Sequence, residues 1–539
     1  MPVGQRQGFG LDSKLIEQID WELALRRVAQ DMKSDFIWAP HLRYIVERCG
    51  EALSSGLKRE LKDGEFSPGL PLTIEVPKSF RIVVAGSIRR LGPVYSRPGS
   101  ILPLKDRLLY QLLADQVADS IEQNTDRSRS FSHRLAGPDR GHMFVSNRLC
   151  WSELQEVLKR HMATTSVNYV LKLDIADYFG SINQHVLINT LKSIGVSAGL
   201  CDKLEAMLLA YTGQRSSRGI IQGIYPSDLL GAFYLHPVDR FFADNAIVSA
   251  RYVDDVYIFV ESVDKAHEIM RILTPELRAH DLRLNEAKSK ILPKTLLVTE
   301  EPDLEALFDE AVLEIVEQLD ENEVEEGYDF QKDWDDAPEL DKEEIELEAT
   351  RRLFASILTY PGHEENIERF CLPLFAKARS DHAVNHVLDA FKRRPSMAQI
   401  YAAYLGKFVD GNDHIQVELV KLLKDNELFD WQRMWIVAAL CQVSSLSDDV
   451  VREVWRILSD PTRHDGLRGS AAILVGRLGD IQRRRSLFQI YPTVSEYVQL
   501  AIYFSSRSWT GVERKNARAA WGAHSEYHRA MTAGFLAAS

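Results

Sequence analysis

The sequence predicts an α+β unit followed by an all-α helical-repeat unit, and three observations predict it. From Tyr169 to about Val298, short apolar strands alternate with helix-spaced segments. From Leu353 onward the apolar spacing is helical almost without interruption. Between them lies an intensely acidic stretch: from Glu300 to Glu348 there are 23 Asp and Glu against only Lys332 and Lys342. That stretch carries a local charge of −21, so the formal −13 of the whole chain conceals +8 elsewhere. At 539 residues the chain is too long for one hydrophobic core.

Taken in order, residues from about Leu15 to Lys62 show helical spacing (Ile16, Ile19, Leu23, Val28, then Leu42, Ile45, Val46, Leu53), with Pro40 separating two helices. From Leu72 to Pro103 the β-branched runs Thr73-Ile74-Glu75-Val76 and Arg81-Ile82-Val83-Val84, broken by Gly and Pro, predict strands and loops. A helix is expected at Asp106–Leu113. Next come a strand at Tyr169–Ile175, a helix from Ser181 with a Ser181-Ile182-Asn183-Gln184 capping box, and a helix from Ser227 as N-cap. A hairpin at Val248–Val260 and a helix ending near His280 complete the unit. Residues 301–350 predict a solvated helix and linker, less regular at Glu325–Pro338. Beyond them, Ile415–Leu423, Met434–Leu440, Val450–Leu458 and Leu467–Leu478 recur as paired amphipathic helices in the manner of a HEAT-like repeat.

Hydrophobic residues at 45% and charged residues at 27% exclude a largely disordered chain. Five scattered cysteines without a C-x-x-C pair disfavour a disulfide framework or a zinc ribbon and point to a reducing, cytoplasmic setting. No apolar run of signal-peptide or membrane-spanning length is expected to target the chain to a membrane.

Three segments carry chemistry. In Tyr252-Val253-Asp254-Asp255 two apolar strands meet at adjacent carboxylates, whose repulsion calls for a cation or a base; hard divalent ions fit. The apolar strand Tyr169–Leu173 runs into Asp174, placing a further carboxylate at a strand end. In Arg218–Asp228, Gly223 lets the backbone approach a flat ligand closely.

In this order, and followed by Leu282-Arg283-Leu284-Asn285-Glu286-Ala287-Lys288, these segments resemble the palm motifs of reverse transcriptases: the strand Asp, the Q-G-x-x-P-S loop, the Y-x-D-D hairpin and the L-N-x-x-K segment. Upstream, Arg97-Pro98 through Pro103 to Asp106-Arg107 resembles the fingers motif R-P-x-x-x-x-P-x-x-D-R of bacterial members, and Ser130-Phe131-Ser132-His133-Arg134-Leu135 the next one. The likeness spans about Arg81 to Pro293. It implies a right-hand palm and fingers and a two-metal site for Mg²⁺, or Mn²⁺ in its place. Asp174 and Asp254 would ligate both ions, with Asp255 nearby and the Ile175 carbonyl assisting. It further implies that Phe179 is a steric gate selecting dNTPs and that Gln222 sits beside the nascent base pair. Lys288 would lie near the triphosphate, with Arg97 and Arg134 as phosphate contacts. Val253 departs from the Ala carried by many members at that position.

An N-terminal helical extension (1–75), fingers and palm (76–300), an acidic segment (301–350) and a HEAT-like helical domain (351–539) together resemble the defence-associated, abortive-infection (AbiK-like) class of bacterial reverse transcriptases. That resemblance implies antiphage DNA synthesis, RNA-directed or template-independent, in some members primed from a tyrosine. It also implies a nucleic-acid partner, such as a non-coding RNA template and its DNA product, and homo-oligomers built on the helical domain. Alternatives remain: a retron- or maturase-like enzyme acting on a structured RNA, an RNA-dependent RNA polymerase, and an inactive palm serving as a nucleic-acid clamp.

Overall fold

The computed structural model describes residues 9–78, 81–83, 90–93, 95–137, 141–213, 216–300, 303–320, 339–360, 362–521 and 525–537. Residues 1–8, Val84 of the second expected strand and the irregular Glu325–Pro338 part of the acidic segment lie outside them.

The N-terminal region holds three helices where the spacing suggested two: α1 (Ser13–Gln18), α2 (Trp21–Asp31) and α3 (Pro40–Asp63). The additional break falls at Ile19-Asp20, where Asp20 caps α2 by accepting from the Leu23 amide at 2.8 Å. Strand β1 (Leu72–Pro77) pairs antiparallel with β4 (Ser96–Ile101), and β2 (Arg81–Val83) with β3 (Arg90–Pro93).

Helix α4 (Leu104–Asn124) is longer than its apolar run suggested and buries even Lys105, Asp106, Arg107 and Gln111, because α2 and α3 cover one side of it and the later helices α8 (Ala198–Tyr211) and α9 (Tyr225–Tyr234) the other. Each buried polar group therefore needs a partner. Asp106 accepts from the Gly69 amide at 2.8 Å, yet burial still lifts its carboxyl to about 7. A folded-state value above the unfolded one means the folded chain holds the proton longer, so stability falls as pH rises from the ordinary carboxylate range to about 7 and is flat above. Asp106→Asn should flatten this loss. Between about pH 5 and 8 the wild type should lose on the order of 2 kcal/mol more stability than the variant, read as the difference in melting temperature; parallel pH profiles would refute the assignment.

The central sheet has strand order β6-β7-β5-β8, all antiparallel. After α5 (Asn147–Ala163) come β5 (Tyr169–Leu173), α6 (Tyr178–Ser181), α7 (Gln184–Ser193), α8 and α9, then α10 (His236–Asp244), β6 (Ser249–Tyr252), β7 (Asp255–Val260), α11 (Val263–Ala279) and β8 (Lys290–Pro293). Alternation along the strands sends side chains to two faces. Val170, Ala250, Tyr257, Phe259 and Leu292 pack with Phe131, Leu154 and Leu158 on the α5 side, while Leu171, Leu173, Val256 and Ile258 join the main core.

Two expected helix caps are corrected. Asn183, not Ser181, caps α7, accepting from the His185 and Val186 amides; Ser181 ends the short α6 that the strand-end turn winds first. Helix α9 begins at Tyr225, with Pro226 in its first turn, so Ser227 lies inside the helix and its hydroxyl meets Tyr110 at 3.0 Å.

The described part of the acidic segment is likewise no free solvated helix. Leu304–Asp320 and Glu339–Ala355 pack together through Ala311, Ile315 and Ala349, and Phe308 meets Phe370 at 5.6 Å. An apolar stripe shared by two helices was enough to pair them despite the charge.

In the C-terminal region Glu364–Lys377, Ala398–Leu405, Asp430–Leu440, Asp465–Leu478 and Glu496–Ser505 form one row, each packed on the next, with Val384–Arg393, Asp413–Lys424, Asp448–Ser459 and Ile481–Ile490 lying beside them. The first row meets the N-terminal region: Trp431 Nε1 donates to the Phe36 carbonyl at 2.7 Å, His464 Nε2, just before Asp465–Leu478, lies 2.8 Å from the Thr73 carbonyl, and Glu496–Ser505 packs on α3, as does the last helix, Glu526–Ala537. All five cysteines are buried free thiols, and among the described residues no helix is long and apolar enough to cross a membrane.

Candidate active site

Because β5 is central in the sheet, its C-terminal end lies beside the β6–β7 hairpin on one side and the 282–289 segment on the other. Asp174 follows β5. Its carbonyl accepts from the Asn285 amide at 2.8 Å, and the Ala176 amide donates to the Arg283 carbonyl at 2.8 Å, so the two bonds of this bridge leave the Ile175 carbonyl outside it. The Asp174 carboxylate receives the Asn285 side-chain amide on Oδ2 at 2.8 Å and the Lys288 ammonium 3.2 Å from Oδ1. The lysine side chain is 63% exposed and so is free to leave.

The hairpin turns at Val253-Asp254, with Tyr252 opposite Asp255. Val253 sits in the left-handed region, φ 55°, which a β-branched residue rarely adopts. The turn is held on both sides: the Val253 amide donates to Ser132 Oγ at 3.0 Å, and Arg251 Nη1 donates to the Val253 carbonyl at 3.0 Å. Arg251 is buried and anchored by Asp239 (Nη2–Oδ2 2.7 Å) and the Ala232 carbonyl (2.9 Å). Ser132 reaches the turn because Ser130-Phe131 runs alongside β6, the Arg251 amide donating to the Arg129 carbonyl at 2.7 Å.

Burial first, then the charges of Asp255 and Asp174, push the Asp254 carboxyl up to about 7, and Lys288 works against them. The three aspartates therefore feel one another. Among the described residues, however, no three His, Cys, Asp or Glu side chains are gathered into a ready ligand set. The donors fit Mg²⁺: carboxylate and carbonyl oxygens are its preferred ligands, and the Lys288 ammonium on Asp174 marks where positive charge is accommodated.

The remaining residues singled out from the sequence are placed as follows. Phe179, the second residue of α6, is half-buried with its ring against Gly231, where a Cβ would stand 2.8 Å from ring Cε1. Gln222, half-buried, precedes Gly223, whose φ of 80° suits glycine. Arg97 lies with its guanidinium carbon 4.9 Å from the Phe36 ring centre, its Nε buried without a partner; burial and then Arg369 disfavour its charge. Arg134 is paired with Glu153, Nη1–Oε1 3.0 Å, both side chains being partly exposed.

Sequence reasoning missed Asn285, Arg251, Ser132 and Phe36. Arg251 had a signal, a lone charge inside an apolar strand, which demands a buried partner. Asn285 lay within a recognised motif without a role of its own. Phe36 had no local signal.

A strand-end aspartate beside a tight aspartate hairpin, on an antiparallel sheet flanked by helices, defines a palm of the kind found in nucleotidyl-transferring polymerases. Residues 93–300 match the family described as "Reverse transcriptase (RNA-dependent DNA polymerase)", so the chain carries a reverse transcriptase domain. Among solved structures, the chain is similar to telomerase from Candida albicans in complex with a fragment of telomeric RNA (12% identity, TM-score 0.27, covering 72% of this chain and 66% of that one). It is also similar to apo telomerase from Candida tropicalis (10% identity, TM-score 0.30, covering 89% and 74%). The chain thus spans slightly under two thirds of the first of these. No curated protein sequence matches it.

Proposed function

We propose that the chain polymerises dNTPs into DNA, RNA-directed or template-independent, and that it does so in antiphage defence. The observation that carries the polymerase reading is the placement, within the matched domain, of Asp174, held by Asn285 and Lys288, near enough to the Asp254-Asp255 turn for its charge to act on Asp254. Mg²⁺, or Mn²⁺, would be held by the three aspartates and the Ile175 carbonyl, and when bound it activates a primer hydroxyl and neutralises the leaving pyrophosphate. Asn285 holds the Asp174 carboxylate in orientation. Lys288, exposed and loosely paired, exchanges Asp174 for a triphosphate. Arg97 contacts phosphate, and Arg134 does so after releasing Glu153. Gln222 lies beside the nascent pair.

Phe179 is the gate against a ribose 2′-OH. Phe179→Ala should lower discrimination against ribonucleotides by about 10²-fold or more, measured as the ratio of kcat/KM for dNTP and NTP. An unchanged ratio would remove that role.

The reverse transcriptase domain packed against a two-row helical array supports the abortive-infection assignment, with a cytoplasmic homo-oligomer assembled through the helical region. The first test is incorporation of labelled dNTPs by the purified protein with Mg²⁺, with and without primer-template. Label retained on the protein after denaturation and nuclease treatment supports protein priming. No incorporation, even with co-purified RNA supplied, overturns the polymerase in favour of an inactive nucleic-acid clamp. Phage plating on cells with and without the protein tests the defence role.

A further inference from the structure

The segment between α2 and α3 reaches the nucleotide side of the site, and Phe36 is its point of contact. A Cβ on Gly223 would stand 2.6 Å from ring Cε2 of Phe36, and a Cβ on Gly99 2.7 Å from its Cβ and 2.5 Å from Val76 Cγ2. Contacts that close are not made by real Cβ atoms, so Phe36 excludes a side chain at Gly223, where a φ of 80° already favours glycine, and together with Val76 excludes one at Gly99. The ring also carries the Arg97 guanidinium on its face at 4.9 Å. One aromatic side chain from outside the matched domain thus touches two of its elements: β4, at Arg97 and Gly99, and the loop carrying Gln222, at Gly223.

The ring is itself held from two directions. On the domain side, the Asp31 carboxylate accepts from the Tyr225 amide at 3.0 Å and from Arg107 at 2.7 Å, and Arg107 also holds Asp35 at 2.9 Å. These contacts pin both the segment and the end of the Gln222 loop. On the helical side, Trp431 Nε1 donates to the Phe36 carbonyl at 2.7 Å. Phe36 is only partly buried, which distinguishes it from a residue that merely fills the core.

We infer that Phe36 is a positioning residue for nucleotide binding, a wedge that sets the Gln222-Gly223 backbone and the Arg97 guanidinium, and that Trp431 links it to the helical domain. This rests on the polymerase reading. Its consequence is that the C-terminal helices act on nucleotide affinity through the Trp431 hydrogen bond and the Phe36 ring, without contributing a group to the chemistry.

The test is steady-state dNTP incorporation by the full chain. Phe36→Ala should raise KM for dNTP by about tenfold while kcat changes by less than about threefold, as expected for a lost ground-state contact. Phe36→Tyr should restore the wild-type KM, and Trp431→Phe, which keeps the ring but removes the N–H, should raise KM in the same direction by a smaller factor. Gly223→Ala should be severe in the wild type and relieved in part in the Phe36→Ala background: the clash with the ring goes, so the two effects are not additive, while the strain of alanine at a φ of 80° remains. Phe36→Leu serves in the cycle if the alanine variant does not fold. An unchanged KM in an active, folded Phe36 variant, or additive effects with Gly223→Ala, overturns the wedge and leaves the polymerase standing. A wild type that incorporates nothing under any condition overturns both.

Discussion

Asp254→Asn is expected to lose DNA synthesis by about 10³-fold or more while its melting temperature stays within a few degrees of wild type. The carboxylate sits at a turn fixed by other residues. Arg251, Ser132 and the β6–β7 pairing hold the backbone, and none of these bonds involves the Asp254 side chain. An isosteric amide therefore leaves the hairpin intact while removing one anionic ligand, which is worth several kcal/mol of charge stabilisation in a metal-assisted transfer. The measurement is single-turnover incorporation at saturating dNTP and Mg²⁺ beside a thermal melt. Retained synthesis would take the site away from Asp254, and a large fall in melting temperature would make the loss of activity uninformative about chemistry.

The largest effect on stability should come from Arg107. Its side chain is 1% exposed and serves Asp31 and Asp35, which are 2% and 3% exposed. Burial opposes all three charges. It pushes Asp31 up to about 6 and raises Asp35, Arg107 pulling both back, while the two carboxylates hold Arg107 charged. One cation for two acids leaves no surplus. Arg107→Ala strands two buried carboxylates and should cost about 3–5 kcal/mol, seen as a lower midpoint in denaturant unfolding. Adding Asp31→Asn and Asp35→Asn should recover a substantial part, since the asparagine oxygen can still accept from the Tyr225 amide. A triple variant as unstable as Arg107→Ala would mean that packing, and not uncompensated charge, is what the arginine supplies. The same variant bears on the wedge, because Arg107 holds the segment that ends in Phe36.

Both residues lay inside segments that the sequence alone singled out, yet for different reasons. Asp254 was legible because its chemistry is local: alternating apolar residues set the two strands, and two carboxylates at the turn between them have few other uses. Arg107 belonged to the fingers resemblance, but its work in the structure is to join α4 to the N-terminal segment, an ion triad spanning 76 and 72 residues of sequence. Nothing in the periodicity around Arg107 indicates that partner. Similarly, the motif around Arg134 gives no sign of Glu153, 19 residues on, with which the structure pairs it. The helix starts at Ser181 and Ser227 were misplaced because a serine is a good cap wherever it stands, while the turn after β5 and Pro226 decided where the helices begin.

The strand–helix alternation of the palm, the aspartates at its strand end and hairpin, and the helical character of the C-terminal region are all written in local residue pattern. Each follows from side-chain periodicity and turn chemistry within a few residues. Packing between distant segments sets what Asp174 meets, how closely Phe36 approaches Gly99 and Gly223, and that Trp431 reaches Phe36 across 395 residues of sequence. Those contacts satisfy buried polar groups and fill space between segments distant in the chain. Burial of that kind is decided by which surfaces meet, and no local pattern of residues records it.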